Sequence, residues 1–283
     1  MTADVLRYAA FTVDGHGGNP AGVVLDASGL DAAQMQAIAA DVRDSETAFL
    51  VARGPQPNVY DVRYFSPAQE VPFCGHATIA AAIALVERTP ADELIFHTPA
   101  GFVSIATFRN DNDELVAELT SVAPRTAGPP TDLLPAVLEA LRWSVDDLNP
   151  DYPVLLANAG SEHLVLVTRT RERLANLAYD FDGLAELMNE HGLVTVLLVW
   201  PESNERYHAR NPAAGLGVVE DPASGAAAAA FGGYLRELDI IGENAEFTIS
   251  QGVDMGRPSE IAVSVIGGEP GVRVTGAAYR IDD

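Results

Sequence analysis

In the first half of the chain, apolar and polar positions alternate in short runs that predict strands over 6–13, 21–25, 59–65, 94–96, 101–108 and 115–119. Residues 31–42 place Met35, Ile38, Ala39 and Val42 at helical spacing behind Asp31, a capping residue type. The stretch 15–22, rich in Gly, Asn and Pro, predicts a turn. Residues 44–51 begin polar and continue apolar, which predicts a strand whose first residues face something other than core. A Pro-, Gly- and Thr-rich stretch at 122–132 predicts a linker between halves 1–122 and 123–283, with the last strand free to return to the first half. The second half repeats the order, with predicted strands at 154–156, 163–168, 194–200, 206–211, 247–250, 261–265 and 271–275, and a helix at 182–190.

Two loops carry one pattern at a constant offset. Glu70, Pro72, Gly75 and Ala77 recur as Glu220, Pro222, Gly225 and Ala227, and each loop runs into an Ala-rich apolar segment, 78–85 and 228–235. Such uniformly apolar segments predict buried helices, one per half. Hairpins around one apolar helix in each half predict an α+β fold of two pseudo-symmetric domains, each a curled mixed sheet around its helix. A glycine at a helix start exposes unpaired backbone N–H groups at the positive end of the helix dipole, so each loop is a candidate receptor for an anion. The plainer reading of Gly75 and Gly225 is relief of a tight turn. The duplication, with acids alongside, favours two loops facing one shared cleft.

Composition narrows the chemistry. The 283 residues carry a formal net charge of −23, which argues against nucleic-acid binding. All 17 basic residues are Arg, so mechanisms that need a Lys, such as Schiff-base formation, lysine-anchored pyridoxal phosphate and the Gly-Lys-Ser/Thr phosphate loop, are excluded. The lone Cys74 forms no internal disulfide and suits a reducing cytoplasm. No run reaches the ~18 apolar residues of a membrane span, and none reads as a secretory signal. The six His residues show no HxxxH or HxH spacing, so no metal site is expected.

The candidate chemistry gathers around the loops. Glu46, between Ser45 and Thr47, stands ahead of an apolar strand, where desolvation can raise a carboxylate's pKa and suit it to general base or acid work. A solvated strand-start Glu is the plainer alternative. Asp221 could hold an amine or donate a proton, or simply cap the following helix. His76, in a first helical turn, favours the neutral ring and could orient a carboxylate or carbonyl. Cys74 is either an activated thiolate or a small buried hydrophobe.

The segments Asn19-Pro20-Ala21-Gly22-Val23-Val24, Ser45-Glu46-Thr47-Ala48-Phe49, 70–78, 220–225 and Gln251-Gly252 with Gly256-Arg257-Pro258 together resemble the PhzF-like isomerases of phenazine biosynthesis. The resemblance spans nearly the whole chain. It implies the diaminopimelate-epimerase-like fold, with the active site in the cleft between the two halves, and a homodimer. It also implies cofactor-free proton transfer on a small carboxylate, as in isomerisation of trans-2,3-dihydro-3-hydroxyanthranilate. By the same resemblance Glu46 takes and returns the proton and His76 and Asp221 orient substrate. Gly75 and Gly225, with neighbours Ser45, Ser224 and Ala226, would receive the carboxylate. Two positions depart from the pattern. Ala226 replaces the usual Ser, and the Cys pair of the racemases and epimerases of this fold is here Cys74 with Ser224. A Cys-assisted epimerase or racemase and a non-catalytic carboxylate receptor are therefore the alternatives.

Overall fold

The computed structural model describes residues 4–54 and 56–281. The chain forms two compact units, one holding the residues up to Thr120 with those from Thr275 onward, the other Ser121–Val274. The first contains β1 (Leu6–Ala10), β2 (Asn19–Val24), α1 (Ala32–Val42), β3 (Glu46–Ala52), β4 (Val59–Phe65), β5 (Glu70–Val71), α2 (Gly75–Val86), β6 (Glu93–Thr98), β7 (Gly101–Arg109) and β8 (Leu115–Thr120). The second contains β9 (Arg125–Ala127), α3 (Leu133–Leu141), β10 (Leu155–Asn158), β11 (Glu162–Val167), α4 (Arg171–Ala175), α5 (Phe181–His191), β12 (Thr195–Pro201), β13 (Arg206–Arg210), α6 (Gly225–Glu237), β14 (Ala245–Gln251) and β15 (Ser259–Val265). The final strand, β16 (Arg273–Arg280), belongs to the first unit from Thr275.

In the first unit the strands run in the order β1-β2-β3-β4-β6-β7-β8-β16, and β16 pairs again with β1, so the sheet closes on itself. Closure removes the open edges that a curled sheet would otherwise expose. Helix α2 lies against β1, β2, β3, β7 and β8, and every residue from His76 to Val86 is buried. That is why its sequence shows no polar face. Its run of alanines and isoleucines lets the surrounding strands approach closely, and burying each Ile or Leu contributes ~1.5–3 kcal/mol. Helix α1 packs elsewhere, with Met35 and Ala39 against Val24, Phe49 and Phe65. Asp31 caps it reciprocally with Gln34 (both bonds 2.9 Å), and Arg43 ends it in a left-handed conformation.

The second unit orders its strands β9-β10-β11-β12-β13-β14-β15. Helix α6 lies along β9, β10, β11 and β15 and is buried from Ala227 to Leu235. A second apolar layer joins Leu133, Val137 and Leu141 of α3 and Leu184 and Met188 of α5 to Leu164, Leu166, Val196 and Leu198 of β11 and β12. The alternate spacing of those strand residues puts them on one face.

Two expectations need correction. The predicted turn at 15–22 is strand from Asn19 onward, with Asn19 and Pro20 paired to Ala10 and Ala9. Pro20 precedes Ala21, the first residue to pair with β3, so it occupies a strand-start position that tolerates proline. The predicted linker at 122–132 contains β9, which pairs with Leu156–Asn158 between its flanking Pro124 and Gly128. Among the described residues, no helix is long and apolar enough to cross a membrane.

Candidate active site

The first unit concentrates its chemistry where β3 and α2 begin. Arg7 of β1 grips Asp44 through two bonds (Nε to Oδ2 2.9 Å, Nη2 to Oδ1 2.6 Å), which anchors the chain just before Ser45 and Glu46. β3 then pairs in parallel with β2, Ala21 opposite Glu46 and Gly22 opposite Thr47. A Cβ on Gly22 would lie 2.6 Å from Thr47 Oγ1, so glycine is what lets Thr47 bury itself completely against β2. With Thr47 committed to that face, alternation sends Glu46 to the other.

α2 begins behind Cys74, whose side chain makes no capping bond, so Gly75 and His76 open the helix without a side-chain cap. The loop is held from below: Thr78 Oγ1 donates to the Cys74 carbonyl (2.7 Å), and the Tyr64 hydroxyl lies 2.6 Å from the same Oγ1. Complete burial pushes the Tyr64 phenol well above its ordinary range, so it serves as a neutral hydrogen-bonding group.

These elements bring Glu46, Ser45, Cys74 and His76 together. His76 Nε2 is 3.3 Å from Glu46 Oε2 and 3.0 Å from Ser45 Oγ. Cys74 Sγ is 3.5 Å from the same Glu46 oxygen and 3.3 Å from His76 Nδ1. Asn19 Nδ2, at the start of β2, is 3.3 Å from His76 Nδ1. His76 is buried, while the Glu46 side chain keeps 19% of its surface exposed. A carboxylate partly open to solvent, with an imidazole nitrogen 3.3 Å from one oxygen, can pass a proton outward and recover it. One donor atom from each of Glu46, Cys74 and His76 lies within 4.8 Å of the others, a set that a borderline cation such as Zn²⁺ accepts. His-pair spacing in the sequence does not detect this trio, because its members come from two elements.

The second unit builds its loop differently. Asp221 donates its N–H to the Asn211 carbonyl (2.9 Å), and its carboxylate accepts a very short bond from Ser224 Oγ. Gln251, buried at the end of β14, donates to the Asp221 carbonyl (2.7 Å) and accepts from Ser224 N (3.4 Å). Gly252 follows at φ +72°, and a Cβ there would sit 2.2 Å from the Arg257 carbonyl and 2.8 Å from that of Pro222. Only glycine permits that approach. Ser224 precedes α6 without a side-chain capping bond, and Gly225 and Ala226 form its first residues.

The repeated glutamates have a structural task. Glu70 accepts two bonds from Arg63 (Nε to Oε1 and Nη2 to Oε2, both 2.7 Å), and Glu220 accepts two from Arg210 (2.9 and 2.6 Å). Each Arg–Glu fork braces the strand before its loop. Hydrogen bonding from Arg63 holds Glu70 below the usual carboxylate range. Sequence reasoning counted these acids as flanking charge and gave no role to Asn19 or Gln251. Their neighbours Pro20 and Gly252 mark backbone constraint, but nothing local shows what the amides touch.

A closed α+β sheet around a buried helix, with carboxylate, imidazole and thiol at that helix's start, is equipment for acid–base chemistry. The chain belongs to the family of phenazine biosynthesis-like proteins, whose model matches residues 8–282. It is similar to an uncharacterized isomerase of Deinococcus radiodurans, 34% identical over 93% of this chain and 88% of that protein. It is also 30% identical to the trans-2,3-dihydro-3-hydroxyanthranilate isomerase of Pseudomonas chlororaphis, over 86% of this chain and 83% of that one. Among solved structures it matches a PhzF-family phenazine biosynthesis protein of Bacillus anthracis at TM-score 0.89, 24% identity, over 100% of this chain and 98% of that one. A probable proline racemase of Agrobacterium radiobacter shares the fold at TM-score 0.66 and 15% identity, over 99% and 91%. The protein is an isomerase of the PhzF-like family.

Proposed function

We propose that this isomerase moves a proton on a small carboxylic acid without a cofactor, with Glu46 taking and returning the proton. The observation that carries the reading is the Glu46 carboxylate, part-exposed and 3.3 Å from His76 Nε2 at the start of α2. His76 and Asp221 orient the substrate in this reading, and Ser45, Gly75, Ser224, Gly225 and Ala226 supply its binding contacts. The first turns of α2 and α6, which no capping side chain engages, suit a carboxylate. The relative from Pseudomonas chlororaphis supports an amino-cyclohexadiene carboxylate as the substrate class. Ala226 presents a methyl group where the family's usual Ser would offer a hydroxyl, so a panel of substrates rather than a single one is the proper test.

The test is solvent-deuterium incorporation, followed by NMR, into trans-2,3-dihydro-3-hydroxyanthranilate and a panel of benzoate and amino-cyclohexadiene carboxylates. Glu46→Gln should stop incorporation while the fold and ligand binding persist; undiminished exchange in that variant would sink the assignment. Cys74, 3.5 Å from Glu46 and 3.3 Å from His76, favours one second reading, a thiol-assisted epimerase of an amino-acid-like substrate. Exchange that dies in Cys74→Ser and survives in Glu46→Gln would select it.

A further inference from the structure

We infer that Asn19 is a positioning residue that holds His76 in the tautomer carrying its proton on Nε2, pointed at Glu46. The two ring nitrogens face partners of opposite kind. Nε2 faces an acceptor: the Glu46 carboxylate oxygen at 3.3 Å, which when ionised has no proton to give. Ser45 Oγ, at 3.0 Å from the same nitrogen, can accept as well as donate. Nδ1 faces a donor: the Asn19 amide nitrogen at 3.3 Å, which has no lone pair to offer. Only one arrangement of a neutral imidazole satisfies both sides, with the proton on Nε2 and the lone pair on Nδ1. The cationic ring would turn an N–H against the N–H of Asn19.

The fold makes this amide hard to replace. Asn19 is 1% exposed, at the first residue of β2, and its backbone is set by pairing with Ala10 of β1. Cys74 Sγ, 3.3 Å from Nδ1, can also donate there, but it has Glu46 as a second acceptor and so need not set the ring. The consequence deepens the proposed function and takes its catalytic meaning from it. A ring that donates from Nε2 orients the Glu46 carboxylate as an acceptor and leaves the imidazole unable to take the proton itself. Glu46 is then the one basic group of this cluster that is free to receive a substrate proton.

The experiment needs no substrate. Long-range ¹H–¹⁵N spectra of the uniformly ¹⁵N-labelled full chain, with His76→Gln used to assign the ring by difference, read the tautomer directly. The free protein should show a protonated, pyrrole-type Nε2 and a bare, pyridine-type Nδ1 for His76. A protonated Nδ1 in the free protein overturns the inference by itself. Asn19→Asp, nearly the same shape, replaces the donor with an acceptor and should move a proton onto Nδ1. Cys74→Ser should leave the wild-type pattern in place; if the pattern changes there and survives Asn19→Asp, the thiol sets the ring and Asn19 does not. An intact Nε2–H pattern alongside a fully active Glu46→Gln would spare this inference and defeat the proposed function alone.

Discussion

The first parallel strand pair of each unit starts in the same way and carries different chemistry. In the first unit β2 and β3 begin their pairing with Ala21 opposite Glu46; in the second, β11 and β12 begin theirs with His163 opposite Thr195. The same register position thus holds a carboxylate in one unit and a hydroxyl in the other. His163 is wholly buried, with Nδ1 2.7 Å from Thr195 Oγ1 and Nε2 3.0 Å from Ser161 Oγ, so it is a closed structural group. His76, from the helix rather than the strand, meets Glu46 instead. The loops differ in the same sense: Cys74-Gly75-His76 offers groups that titrate, while Ser224-Gly225-Ala226 offers a hydroxyl and two small residues. The strand arrangement recurs in both units, while carboxylate, imidazole and thiol gather at the helix start of the first.

The sharpest way to break the comparison is to copy the second unit into the first. Glu46→Thr reproduces the residue at the Thr195 position and should lower proton exchange by ~10²-fold or more, the typical share of a general base. Deuterium incorporation measures it, and a loss below tenfold would mean that the two strand starts are functionally alike.

The two Arg–Glu forks come next. Arg210 and Glu220 have side chains 11% and 5% exposed, against 38% and 35% for Arg63 and Glu70. Arg210→Met strands a buried carboxylate and should cost ~3–5 kcal/mol. The urea unfolding midpoint should fall accordingly. Gly252→Ala, which drives a Cβ into two carbonyls at positive φ, should cost ~1–3 kcal/mol and loosen the Asp221 loop.

His163 supplies a pH signature of the second unit. Burial lowers its pKa from 6.5 to about 4, so the unfolded chain binds more protons than the native one between those values. Its contribution is therefore complete above pH ~6.5 and is lost as pH falls toward 4, amounting to at most ~3 kcal/mol. Stability measured against pH should flatten over that window in His163→Gln. The smallest effect belongs to the exposed fork: Arg63→Met should change stability by less than ~1 kcal/mol, since solvent already screens the pair. A loss equal to that of Arg210→Met would erase the distinction between them.

Much of this was legible along the chain because the signals are local. The repeated Glu-Pro-Gly-Ala spacing sits within eight residues in each copy, and the apolar runs behind it have no polar face in any register. Such runs can only be interior helices. Local signals also misled. Asn19 and Pro20 carry turn chemistry, yet pairing with β1 holds them in a strand. Pro124 and Gly128 punctuate a linker-like stretch, yet the three residues between them find a partner in β10. In both cases pairing with a neighbouring strand outweighed a preference of the residues themselves.

By itself, the sequence determined the α+β class, the duplicated helix starts and the set of groups available for chemistry, since these depend on residue type and short-range spacing. Only the tertiary structure decided which groups meet. It closed the first sheet by bringing β16 back to β1, set Glu46 beside a histidine 30 residues away, and made braces of Glu70 and Glu220. It also placed the amide of Asn19 against one ring nitrogen and a carboxylate against the other. Hydrogen bonds depend on distances of a few tenths of an ångström, and those are fixed by packing across the whole fold rather than by neighbours in the chain.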